Sequence, residues 1–147
     1  MGSSGEQVGV ALIGSGRMGA HHAETVSRRL PGARLVAVAD PAPGAAERLA
    51  GALGADRAYA DVQQVWDDPA VDAVVIASPA RTHAGLVVAA AAAGKGAFCE
   101  KPMAVTLADA DRAIDAARAA GVVLQVGFNR RFAPDWQAAR ALRADHR

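Results

Sequence analysis

The chain has 147 residues, enough for one domain with a full core, and 52% of them are apolar against 21% charged, the balance of a globular chain. A net charge of +1 excludes the strongly basic surface that nucleic acid or an anionic membrane selects. The single cysteine excludes an internal disulfide and suits the reducing cytoplasm, and no apolar run reaches transmembrane length.

Residues 1–7 lack the basic flank and apolar stretch of a signal peptide and read as a flexible tail. The apolar run Val8–Ile13 ends in Gly14-x-Gly16-x-x-Gly19, and an amphipathic segment follows from Arg17 to Leu30. Strand, glycine turn and helix in that order form the dinucleotide-binding fingerprint. Gly14 permits the turn, Gly16 lets the backbone approach a pyrophosphate, and Gly19 lets the helix pack on the strand. The loop Gly14, Ser15, Gly16, Arg17, Met18 and Gly19 then offers free N–H groups and a helix dipole to phosphate. Pro31-Gly32 breaks the chain before a second strand, Arg34 to Asp40. Asp40 lies 21 residues past Gly19, the place of a carboxylate on ribose hydroxyls, which favours NAD over NADP.

Pro41 and Pro43 open a helix with Ala46, Leu49, Ala50 and Leu53 on one face. Arg57–Tyr59 is a short edge strand, and Asp61 with Gln64 resembles a capping box for a short helix through Trp66. Asp72–Ala77 is a buried strand whose unbroken apolar run suits a parallel sheet. Thr82 caps the next helix, which runs to Gly94. Ala97–Cys99 is a fifth strand, followed at once by Glu100-Lys101-Pro102. Thr106 and Asp109 cap a helix with Leu107, Ala110, Ile114 and Ala117 on one face, which Gly121 closes. Val122–Val126 is the sixth strand, Gly127–Phe132 a loop, and Pro134 starts a last helix running towards Arg143.

Strand and helix alternate throughout, so the expected fold is α/β: a Rossmann-type doubly wound parallel sheet in three layers, strand order 3-2-1-4-5-6. Residues 8–132 make up the dinucleotide-binding domain and 133–147 the start of a linking helix. Gly14, Asp40, Ser78, Glu100 and Gly127 all follow strands and so face one crevice. A lysine at Lys101 lies where the nicotinamide end of a dinucleotide belongs, and can stabilise the alkoxide formed as hydride leaves. Lys101–Pro102 is also the kind of peptide bond that adopts a cis form. His21 and His22 are adjacent on a helix and cannot share a metal. Cys99 lies inside a strand and reads as packing.

The ordered set Ala77-Ser78-Pro79, Thr82-His83, Gly94-Lys95, Glu100-Lys101-Pro102 and Gly127-Phe128-Asn129-Arg130-Arg131-Phe132 resembles the Gfo/Idh/MocA oxidoreductase family, and within it the inositol 2-dehydrogenases. The resemblance spans roughly Val8 to Arg143. It implies that Ser78, Pro79 and His83 border the nicotinamide half of NAD, that Glu100 holds its ribose region, that Lys101 is catalytic and that Arg131 reaches a polyol or sugar substrate. It also implies a second domain, absent from this sequence, that supplies an aspartate and a histidine to the lysine and builds a homo-oligomer. Asp145 and His146 do not match that pair in context or spacing. A non-catalytic dinucleotide-binding module, or an NADP-dependent sugar reductase of the same family, are the alternatives; Lys101 argues against the first and Asp40 against the second.

Overall fold

The computed structural model describes residues 7–144. The expected tail at 1–7, except Gln7, and the residues Asp145 and His146 lie outside that range. Six parallel strands form one sheet: β1 (Val8–Ile13), β2 (Ala33–Ala39), β3 (Arg57–Tyr59), β4 (Ala73–Ile76), β5 (Gly96–Cys99) and β6 (Leu124–Val126), in the order β3-β2-β1-β4-β5-β6. This is the expected order. Helices α1 (Arg17–Arg29), α2 (Ala45–Leu53), α3 (Gln63–Asp67), α4 (Ala80–Ala92), α5 (Leu107–Ala120) and α6 (Pro134–Ala144) connect or follow the strands.

Alternate residues of β1, β4 and β5 feed opposite cores, as a pleated sheet requires; in β2 a register shift puts adjacent Val36 and Ala37 on the same side. Val10 and Leu12 of β1 join Leu35, Val38 and Val75 beneath Ala23, Val26, Ala46 and Ala50 of α1 and α2. Ala11 and Ile13 join Val36, Val74, Ile76 and Cys99 beneath Ala84 and Val87 of α4 and Ala113 of α5. The helices meet the sheet largely through alanine. Small side chains thereby do what the scarce aromatics cannot, keeping the layers close without voids.

Three local expectations give way. The helix expected to be capped by Thr82 begins at Ala80, with Pro79 in the capping position; the Thr82 hydroxyl instead donates to the Pro79 carbonyl at 2.7 Å. Proline's fixed φ suits a helix entrance, so the start moves three residues earlier. Asp61 accepts from the Gln63 N–H at 2.9 Å, an Asx turn in place of the capping box. On α5 the buried face is Ala113 and Ala117, whereas Leu107 is 85% exposed and Ile114 also lies at the surface. Ala113 packs with Ala84 and Val87 of α4, and the larger side chains of α5 lie outward. The Thr106 cap holds as expected: its hydroxyl accepts from the Asp109 N–H at 3.1 Å and donates to the Asp109 carboxylate at 2.8 Å.

The buried Lys95 secures the loop before β4. Its Nζ donates to the carbonyls of Asp68 and Val71 at 2.8 and 2.7 Å. Asp68 in turn accepts from Ala70 N–H, Arg57 and the Tyr59 hydroxyl. Burial, then the Asp68 hydrogen bond and charge, push the Tyr59 phenol above its ordinary range.

Candidate active site

The site lies at the carboxyl ends of the neighbouring strands β1 and β4, the switch point of a doubly wound sheet. Two glycines fix its floor. Gly14 has φ +93°, and a Cβ there would come within 2.7 Å of the Ser78 N; the glycine turn thus lies directly against the end of β4. A Cβ on Gly19 would run into the Gly14 carbonyl oxygen. Gly16, by contrast, faces open space, with nothing within 4 Å of an added Cβ. It caps α1 without any side-chain hydrogen bond, and the first turn carries no acid. Ser15 is half-buried, and Gly16, Arg17 and Met18 are exposed around that open helix end. The N–H groups of α1 therefore face the crevice unclaimed, ready for an anion.

Asp40 reaches this loop from β2. Its Oδ2 accepts from both the Ser15 N–H and the Ser15 hydroxyl at 2.7 Å, and its Oδ1 from the Ala42 N–H at 2.9 Å. Partial burial pushes the carboxyl upward, but these three bonds outweigh it and hold the group below its ordinary value of 3.8. The charged form is thus the one the loop is built around.

Glu100 follows β5. Its Oε1 meets His22 Nε2 of α1 at 2.8 Å, and its Oε2 accepts the Lys101 N–H at 3.0 Å. Glu100 Oε1 also lies 3.5 Å from where a Gly127 Cβ would stand, so the ends of β5 and β6 meet here. The Lys101–Pro102 peptide bond is cis. The exposed Lys101 lines an open cleft of about 1360 Å³ together with Phe128, Arg131 and Trp136. Ser78 bonds its hydroxyl to that of Thr82 at 2.7 Å, and Pro79 is exposed at the rim. His83 is buried beneath them, with both ring nitrogens already bonded to backbone carbonyls. The structure therefore places the glycine turn, Asp40, Ser78 and Glu100 at the carboxyl ends of neighbouring strands. Lys101 and Arg131 share the adjoining cleft, and His83 lies in the wall.

Residues 8–128 match the model of an oxidoreductase family, described as its NAD-binding Rossmann fold. The chain belongs to the Gfo/Idh/MocA oxidoreductase family. It is 41% identical to scyllo-inositol 2-dehydrogenase (NAD(+)) of Bacillus subtilis, over 91% of this chain and 39% of that protein. It is 42% identical to myo-inositol 2-dehydrogenase of Thermotoga maritima, over 84% of this chain and 36% of that one. Among solved structures, scyllo-inositol dehydrogenase from Lactobacillus casei with bound NAD(H) and scyllo-inositol superposes with a TM-score of 0.88 at 26% identity, covering 95% of this chain and 42% of that one. The chain thus spans about two-fifths of the length of the relatives it matches.

The residues of the crevice fit the family's cofactor. The Gly16 side of the loop is open to a pyrophosphate, and Asp40 keeps acceptor capacity on Oδ1 for a ribose hydroxyl. No helix among the described residues is long and apolar enough to cross a membrane.

Sequence reasoning gave His22 no part in this site. A signal was present: His22 follows Gly19 by three residues and precedes Val26 by four, so it flanks the face of α1 that packs on the sheet. Its ring also stands edge-on to Phe98, centroids 5.2 Å apart, which fixes the direction from which it meets Glu100.

Proposed function

We propose that this chain is the cofactor-binding half of an NAD-dependent dehydrogenase acting on the CH–OH group of a cyclic polyol or sugar, with an inositol as the representative substrate. The observation that carries the reading is the placement of Lys101. It follows β5, its backbone N–H is held by Glu100, and it opens into the cleft that also holds Arg131. Bound NAD supplies the hydride acceptor. The protein's part is to hold the dinucleotide along the α1 end and Asp40, and to present the Lys101 amine to the substrate oxygen. There the amine accepts the proton of the carbinol hydroxyl as the carbinol carbon gives up its hydride, which leaves a carbonyl product and an ammonium that hydrogen-bonds it. Arg131 supplies further donors for the substrate hydroxyls.

The relatives' names support an inositol-like substrate, since several of them are inositol 2-dehydrogenases. The remaining substrate contacts, the acid–base partners of Lys101 and the homo-oligomer belong, on this reading, to the part of the protein that follows Arg147, and the enzyme works in the cytoplasm. The test is to extend the chain by the coding sequence beyond Arg147 and assay it with NAD and myo-inositol. The extended protein is expected to oxidise the polyol, and Lys101→Ala to lower kcat by about 100-fold or more. Undiminished turnover in the variant would remove Lys101 from the chemistry.

A further inference from the structure

His83 is 2% exposed, one of the largest fully buried side chains and a polar one. Its Nδ1 lies 2.7 Å from the Pro102 carbonyl oxygen and its Nε2 2.7 Å from the Ser78 carbonyl oxygen. Ser78 follows β4 and Pro102 follows the residue after Glu100 at the end of β5, so one ring spans the ends of two neighbouring strands. A carbonyl oxygen only accepts. The ring nitrogen that carries a hydrogen donates to its carbonyl, and both ring nitrogens lie within hydrogen-bond distance of backbone.

The bond to Pro102 lands beside Lys101. On one side of that lysine, the Glu100 carboxylate holds the Lys101 N–H, with Glu100 itself held by His22 of α1. On the other side, His83 of α4 holds the carbonyl of Pro102. The backbone of Lys101 is thus pinned before and after its Cα, while its side chain is exposed. A long, flexible side chain aims reproducibly only if its root is fixed.

We propose that His83 is a positioning residue, a two-ended clamp that fixes the Lys101–Pro102 backbone and so directs the Lys101 amine into the cleft. This rests on the dehydrogenase reading only for the use made of Lys101; the clamp itself is a property of the chain. It also moves His83 from the border of the cofactor, where family resemblance puts it, to the support behind the lysine.

The test uses the 147-residue chain labelled with ¹⁵N. Ring proton–nitrogen correlation spectra are expected to show a slowly exchanging ring N–H on His83, which does not move when NADH is added. In His83→Leu, which keeps bulk and loses both ring nitrogens, the Lys101 amide is expected to lose at least about tenfold of its exchange protection while the amides of β4 keep theirs. His83→Gln, which keeps a donating amide, restores part of it. A ring N–H that exchanges rapidly with water, a ring that shifts directly on NADH binding, or equal loss of protection at Lys101 and in β4 would overturn the clamp. Should His83→Leu fail to fold, the wild-type ring spectrum and His83→Gln decide the matter. Should NADH not bind, the cofactor reading fails, and the ring spectrum and amide exchange still judge the clamp.

Discussion

Asp40 has one acceptor site left for a ligand. Its other sites are taken by the Ser15 N–H, the Ser15 hydroxyl and the Ala42 N–H, so the carboxylate braces the glycine loop and keeps one acceptor site free. Because its pKa is lower folded than unfolded, the folded state binds fewer protons in the interval between the two values. The stability it contributes is complete above its ordinary value of 3.8 and is lost as pH falls through the lower folded value. Urea unfolding of the chain at a series of pH values from neutral to acid is expected to show a steeper acid loss than Asp40→Asn, and identical slopes would refute the brace. Cys99 makes a contrasting case at the far end of the sheet. Burial, aided by the Glu100 charge, pushes its thiol up to about 12, so a thiol reagent at neutral pH is expected to label it only as the chain unfolds. Rapid stoichiometric labelling of the folded chain would contradict that. Both residues show what one sequence reveals. Asp40 was legible because spacing from the glycines marks it, and Cys99 because it sits inside an apolar run. The pairing of His22 with Glu100 was not, since 78 positions separate them and no local pattern joins the end of β5 to the flank of α1.

Elements were easier to read than their ends. Apolar runs and glycine breaks located the six strands and six α-helices in the right order, because a parallel sheet buried on both faces writes itself as continuous apolar stretches; the 3-10 turn Asn129–Phe132 lies in what read as a loop. What pattern alone missed was decided by neighbours: Pro79 rather than Thr82 precedes α4, and α5 turns Ala113 and Ala117 inward. Two substitutions test these elements in denaturant unfolding of the chain. Gly19→Ala drives a methyl into the Gly14 carbonyl and is expected to cost about 3 kcal/mol or more. Thr106→Ala removes the cap of α5 and is expected to cost about 1 kcal/mol. A neutral Gly19→Ala would mean that the first turn of α1 is looser than its close approach to β1 implies.

For the molecule as a whole, the described residues hold a complete crevice but one wall of the cleft. Trp136 and Leu142 of α6 stay exposed, and Arg130 covers part of the Trp136 ring at 5.5 Å. An apolar stripe of this kind calls for cover, and the chain is expected to self-associate on a sizing column at high concentration. Catalysis needs the carbinol held over the nicotinamide in near-attack geometry, and the proposed function assigns that wall to sequence beyond Arg147. The chain alone, supplied with NAD and myo-inositol, is therefore expected to show no turnover; about 1 per second or more would show a catalytic set complete within it. The central claim, a crevice built for NAD, is tested most directly by calorimetric titration of the chain with NADH and NADPH. The account predicts that NADH binds at least about tenfold more tightly, with the gap narrowed in Asp40→Ala; tighter binding of NADPH, or binding of neither, would contradict it.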